Sequence, residues 1–302
     1  MSAAFIYSLA PIKINTTVLA ADDLQFTPDI AAIPFRHSGN EFNSVLAIPG
    51  GKPALKFKTP FAEAFALIGF KTLKATVLEV YLAKFIDALR QSGAIQRKYS
   101  LVANAVGMVY MMGATVSQNG VLMADVIIVL LNPNDGTVHP LVSSDTGTLV
   151  TLAAEPILYT NGPTSINGTV LGGTTAARLD LGSKVDVRLS DGDLYPRICG
   201  WLGGDPTIAI DHADPATLWN TVGLLGANIS ANFIQYFRKF DATTQITQAT
   251  GLSLTITSGR CIPDAIGARS LDIAKTGLKV IPLSGTSTHP VAVATGVAVP
   301  VP

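Results

Sequence analysis

The 302-residue sequence predicts a mainly β, α+β protein made of two similar tandem halves, each an antiparallel sheet unit with a flanking helix. Three observations lead there. The chain repeats itself at a spacing of about half its length. Glutamate supplies only four of the 21 acidic residues while Thr, Val, Gly and Pro abound, a bias toward strand over helix. The apolar runs are short, alternating and bounded by Gly and Pro turns.

The repeat is explicit. Residues 7–19 (YSLAPIKINTTVL) and 159–171 (YTNGPTSINGTVL) share seven of thirteen positions: Tyr7/Tyr159, Pro11/Pro163, Ile14/Ile166, Asn15/Asn167, Thr17/Thr169, Val18/Val170 and Leu19/Leu171. A second block follows at nearly the same offset, where Gly50-Gly51-Lys52-Pro53 matches Gly203-Gly204-Asp205-Pro206. A third sets Phe65, Ile68 and Gly69 against Trp219, Val222 and Gly223. A slowly drifting offset is what small loop insertions leave in a duplicated domain. The halves are placed at 1–150 and 151–302, with the boundary in the polar stretch between Leu141 and Pro156.

In chain order, the Gly-Gly-x-Pro turns feed alternating strands, Leu55/Phe57 in one half and Ile208/Ile210 in the other. Each strand runs into a capped helix with Pro at its first position: Thr59 into 61–68, and Asp214 into 216–225. Leu73, Val77, Val80, Tyr81, Phe85, Ala88 and Leu89 then fit one helical face stopped by Gly93. Strands are expected over 99–115 and 120–132, a turn at 132–136, and counterparts over 245–258 and 270–283.

Composition narrows the function classes. Equal numbers of acidic and basic residues, 14% charged against a usual ~25%, make electrostatic capture of nucleic acid or anionic lipid a poor fit. The chain is too apolar, at 48%, to be disordered. No signal peptide is read at the N-terminus, and the apolar run 121–131, which contains Asp125, is too short to span a bilayer, so no membrane insertion is expected. Cys199 and Cys261 exclude a disulfide-dense scaffold; one bridge fits the count, and two buried free thiols fit it better.

No phosphate loop, dinucleotide fingerprint, nucleophile elbow or His-Glu-x-x-His motif occurs. No catalytic, cofactor or metal residue is therefore assigned. Asp211-His212-Ala213-Asp214 has metal-ligand chemistry, but capping the second helix accounts for it. Asp191-Gly192-Asp193 lacks the rest of a calcium loop and reads as a hairpin turn. Lys52, Lys56 and Lys58 alternate with Leu55 and Phe57 as the wet face of a strand. His139 and His289 each precede a proline, which places them in extended loops.

The Tyr-x-x-x-Pro-x-x-Ile-Asn block and the Gly-Gly-x-Pro turn, present in both halves, resemble the tail tube protein family of long-tailed bacteriophages. The stretch from Gly107-Met108-Val109-Tyr110 through Asp135-Gly136 to Pro140-Leu141 is similar to the late strands of such domains. The resemblance implies two tandem antiparallel β-sandwich domains whose inward sheets join with those of neighbours into a barrel around a lumen. It also implies homotrimeric, pseudo-sixfold rings stacked into a conduit for DNA ejection. DNA passes without specific binding, other phage tail proteins are partners, and the subunit is a non-enzymatic virion structural protein assembled in the host bacterial cytoplasm. The alternatives are a tail-tip hub or capsid decoration protein, or, in another class, a carbohydrate-binding β-module or hydrolase.

The C-terminal segment, about 289–302, is expected to be an intersubunit arm. Val291, Val293, Val297, Val299 and Val301 fall on one face of an extended strand, and small residues occupy the other. Pro290 and Pro300 suit an edge position.

Overall fold

The computed structural model describes residues 6–36, 38, 42, 45–60, 63–86, 89–90, 96–146, 148–152, 157–241, 245–267, 275–285 and 288–301. The chain is mainly β, in several antiparallel sheets. The first half opens with β1 (Ile6–Ile14), β2 (Thr17–Leu19), β3 (Asp22–Thr27), β4 (Ile30–Phe35), β5 (Val45–Gly51) and β6 (Ala54–Thr59). Helix α1 (Glu63–Ile68) leads to β7 (Thr72–Ala75), β8 (Leu78–Ile86), β9 (Leu89–Arg90) and β10 (Gln96–Leu101). The half ends with β11 (Val106–Ser117), β12 (Met123–Leu131) and β13 (Leu141–Thr146).

The second half runs β14 (Leu158–Ile166), β15 (Thr169–Leu171), β16 (Thr174–Asp180), β17 (Ser183–Arg188), β18 (Ile198–Gly204) and β19 (Thr207–His212). After α2 (Pro215–Val222) come β20 (Ala227–Asn228), β21 (Phe233–Asp241) and β22 (Gln245–Ile256). The last three strands are β23 (Gly259–Gly267), β24 (Lys275–Pro282) and β25 (Val291–Val297).

The pairing repeats strand for strand. One sheet has the order β13-β10-β8-β1-β2 and another the order β25-β22-β21-β14-β15. A ten-stranded sheet draws from both halves, β20-β23-β24-β19-β16 followed by β11-β12-β6-β3, with β7 on β11. The hairpins β4–β5 and β17–β18 pair separately. One apolar core joins the sheets: Leu55, Phe57 and Ile128 meet Ile12 and Val80 in the first half, and Ile208, Ile210 and Val280 meet Phe233 and Leu254 in the second.

The repeated Asn has a mechanical job. Asn15 and Asn167 sit in the left-handed region, at φ 53° and 50°, in the turns that reverse β1 into β2 and β14 into β15. Asn tolerates that region better than most residues. The Asn15 side chain accepts from the backbone N–H of Thr76 (2.9 Å) and Val77 (3.3 Å) and donates to the Lys74 carbonyl (3.2 Å). Asn167 does the same for Ser230 (2.9 Å), Ala231 (3.1 Å) and the Asn228 carbonyl (3.1 Å). Each Asn thus ties the first turn of its half to the bend that starts β8 or β21. The His-Pro pairs repeat too: the Leu141 N–H donates to His139 Nδ1 (3.0 Å) and the Val291 N–H to His289 Nδ1 (3.2 Å).

Several expectations need correction. The helical face expected over 73–89 is three strands, β7, β8 and β9; Leu73 and Val77 lie on either side of the bend that Asn15 holds, so the helical spacing crossed an element boundary. Position 88 and the Gly93 stop lie outside the described residues. The strand expected over 99–115 is two, β10 and β11, broken at 102–105, where the Ala105 N–H donates to the Val102 carbonyl (3.1 Å) and Asn104 adopts φ 66°. Thr59 is buried as the last residue of β6 and α1 is Glu63–Ile68, while the helix entry expected at 61–62 lies outside the described residues. Asp214 does cap α2, accepting from the Thr217 N–H at 3.1 Å, and the helix stops at Gly223 rather than at 225.

The C-terminal segment is paired within its own chain. Val291–Val297 is β25, paired antiparallel with β22 of its own chain from Ile256↔Val291 to Gly251↔Val297. Val291 and Val299 are buried, Val293 and Val297 partly buried, and Val301 is exposed. The period-two pattern is real, but the valine row covers this chain's own core, as β13 does in the first half.

Candidate assembly interface

The ten-stranded sheet contains a joint between the two halves. The end of β11 pairs with β16, from Gly113↔Asp180 through Ala114↔Leu179 and Thr115↔Arg178 to Ser117↔Ala176. Backbone approach is close enough there that a Cβ on Gly113 would lie 2.1 Å from the Leu179 carbonyl oxygen, so only glycine fits. The Leu181 N–H donates to the Met112 carbonyl (2.8 Å), and Ser183 Oγ to the Met111 carbonyl (3.0 Å).

Past the joint, the β17–β18 hairpin folds back over the preceding half. Val185, Val187 and Cys199 pack on a cluster of Tyr110, Val129 and Leu131 from β11 and β12. The hairpin tip is locked to the 132–136 turn: Leu194 and Tyr195 N–H groups both donate to the Gly136 carbonyl (2.8 and 2.7 Å), and the Asn132 N–H donates to the Pro196 carbonyl (3.0 Å). The buried Asp193 carboxylate, which pairs with Arg197 at 2.7 Å, fills the space a Gly136 side chain would need. The Arg197 hydrogen bond holds its pKa below the usual carboxylate range.

The joint is heterologous, because an end of one repeat unit pairs with the opposite end of the next. It leaves two matching edges. β3 is the first-half counterpart of β16, and β23 the second-half counterpart of β11. Among the described residues, β3 pairs only with β6, and the far end of β23, Ile266–Gly267, pairs only with β24. Burial measures the difference. Register makes Phe26 the counterpart of Leu179, since Phe26 faces Leu55 and Leu179 faces Ile208. Leu179 is 3% exposed and Phe26 44%.

The core-distal face of the ten-stranded sheet carries Lys56, Lys58, Arg178 and Lys279 among Asp125 and Asp211. Lys58 lies directly across from Asp125. Partial burial raises the Asp125 pKa, with Lys58 and Arg178 pulling the other way.

The remaining candidates stay apart. Asp211 faces away from buried His212, whose Nδ1 accepts from the Asp214 N–H (3.0 Å); Asp191 and Asp193 sit in the hairpin tip. Among the described residues, no group of three or more His, Cys, Asp or Glu side chains is placed to hold a metal ion. Cys199 and Cys261 are both free; burial pushes each thiol to about 11. Among the described residues no helix is long and apolar enough to cross a membrane. No family model matches the chain, and no curated protein matches it.

Sequence reasoning found the repeat but missed β3, β16 and β23, the strands that make the joint and its two edges. A signal existed for the joint itself: Gly113 interrupts the apolar run of β11, which often marks close backbone approach.

Proposed function

We propose that the chain is a ring-forming structural subunit, two tandem sandwich domains over about 1–150 and 151–302, whose copies join head to tail and stack into a tube. The observation that carries this is the β11–β16 joint together with the edge of β3 and the far end of β23, both open among the described residues. An interface whose two sides differ either closes into a ring or runs on as a filament. Here the chain holds one such joint internally and presents both halves of a second. An open strand edge is also a liability, which closure removes.

Each chain contributes eight strands to the wall, β3-β6-β12-β11 and β16-β19-β24-β23. Three chains line it with 24. At a strand spacing of about 4.8 Å and a tilt of about 40°, that ring has a backbone diameter of roughly 48 Å, wide enough to leave an open lumen after side chains. The part of the core-distal face that the hairpins leave uncovered would line it, with basic and acidic groups interleaved, a surface that gives a polyanion no continuous hold. This supports the conduit role that the tail tube resemblance implies, in a virion tail, with DNA passing through unbound and other tail proteins at the ends.

The test is negative-stain microscopy and mass measurement of the purified full chain. Threefold rings of three chains, stacking into tubes, are expected. A sixfold ring of whole chains, or a monomer at every concentration, overturns the reading; single rings that never stack favour the tail-tip hub.

A further inference from the structure

The hairpin that covers the joint inside the chain has a twin whose corresponding face is left exposed among the described residues. Facing pairs align the two: Ile30↔Gly51 with Ser183↔Gly204, and Pro34↔Leu46 with Val187↔Cys199. Val187 and Cys199 pack on Tyr110, Val129 and Leu131. Their counterparts are Pro34 and Leu46, and Leu46 is 62% exposed.

The surface under the hairpin also has a twin. Ile128 faces Leu55 and Val280 faces Ile208, which makes Ile128 and Val280 equivalent. From there Tyr110, facing Ile127, corresponds to Ile262, facing Lys279. Val129 corresponds to Ile281 and Leu131 to Leu283. Tyr110 and Leu131 are each 6% exposed, whereas Ile262 is 37% and Leu283 60% exposed. So both the covering hairpin and the surface to be covered occur twice, and among the described residues one of each lies open.

We propose that the β4–β5 hairpin of one chain lies across β23 and β24 of a neighbouring copy, with Leu46 seated on Ile262, Ile281 and Leu283. The proposal rests on the head-to-tail ring above and names the second contact surface of that ring, beside the paired edges. The occupant is a second copy of this chain because the chain's internal joint already uses the same two surfaces together. Both open patches flank the open edges, so one neighbour engages edge and hairpin at once.

The experiment mixes separately purified Leu46→Cys and Ile262→Cys chains, allows assembly, oxidises mildly and resolves the products on a non-reducing gel. A covalent two-chain species is expected in the mixture and not in either variant alone or in the parent. Leu46→Glu, at a position exposed in the free chain, should keep the parent melting profile and lower ring yield at least tenfold. If the mixture forms rings with no covalent dimer above the parent level, the hairpin proposal is wrong and the head-to-tail ring stands. If the parent chain stays monomeric at every concentration, the ring fails and the hairpin proposal with it.

Discussion

Replacing Asn15 by Ala removes three hydrogen bonds to the backbone at once, those from the Thr76 and Val77 N–H groups and that to the Lys74 carbonyl, together with a longer one from Thr76 Oγ1 (3.4 Å). Each is partly solvent-exposed, so each is worth about 0.5–1 kcal/mol rather than the upper end of the usual range. Ala must also hold φ near 53°, where an L side chain without a local hydrogen bond loses about 1 kcal/mol or more. The expected cost is about 2.5–4 kcal/mol. Asn167→Ala, with the same three bonds in the second half, should cost the same within ~0.5 kcal/mol. Asn15→Gly separates the contributions: glycine accepts the backbone angle but not the bonds, so it should recover about 1 kcal/mol of the loss. The assay is urea unfolding followed by circular dichroism on dilute, unassembled chain, comparing midpoints at unchanged slope. If both alanine variants unfold within 0.5 kcal/mol of the parent, the side chains do not hold the bends. A glycine variant as unstable as the alanine would show that the left-handed backbone contributes nothing.

Asp125→Asn should raise the melting temperature at pH 7. Burial raises the folded-state pKa of Asp125 above its unfolded value, so the favourable contribution exists below the unfolded carboxylate range, near pH 4, and is lost as pH rises through the folded pKa. The gain should therefore shrink to nothing in melts at pH 3; an equal gain at both pH values would contradict the electrostatic account. Deleting 289–302 removes β25 and the buried Val291 and Val299, at roughly 1.5 kcal/mol of burial each. The truncated chain should be measurably less stable to urea as a monomer, and unchanged stability would mean that β25 is dispensable to its own domain.

What could be read from the sequence was whatever lay within one local stretch. The Ile-Asn turns, the Leu55/Phe57 and Ile208/Ile210 alternation and the Asp214 cap are short-range patterns, and each stands where its chemistry put it. The misreading at 73–89 shows the limit. Leu73, Val77, Val80 and Tyr81 have helical spacing, but the chain bends at 76–77 because the Asn15 side chain, about sixty residues earlier, takes those two N–H groups. A window on the sequence cannot contain both ends of that bond. Tyr81 deepened the error: it is buried on the opposite face from Val80, donating to Glu79 at 2.8 Å, so β8 does not alternate cleanly. The valines of β25 were read correctly as one apolar face, but which surface they cover depends on β22, and periodicity carries no address. The joint was illegible for a similar reason. Apart from Gly113, nothing in the residues of β11 and β16 marks the pairing, and only their three-dimensional neighbours distinguish a sealed edge from an open one.

The β11–β16 joint also has a consequence for how the chain responds to dilution. Its two sides share one backbone, so each sees the other at an effective concentration on the order of millimolar, whatever the amount of protein in solution. An intermolecular copy of the same joint has no such tether and must be held by contact energy alone. Thinning the protein should thus part chain from chain long before half from half. Defects at Gly113 or Gly136 should weaken the chain equally at every concentration, whereas defects at Phe26 or Leu46 should be felt only as the protein is diluted. Covalent linkage also frees the inner joint to drift: it can lose packing that the outer one must keep. The inner joint and the proposed outer one would then be under unequal selection.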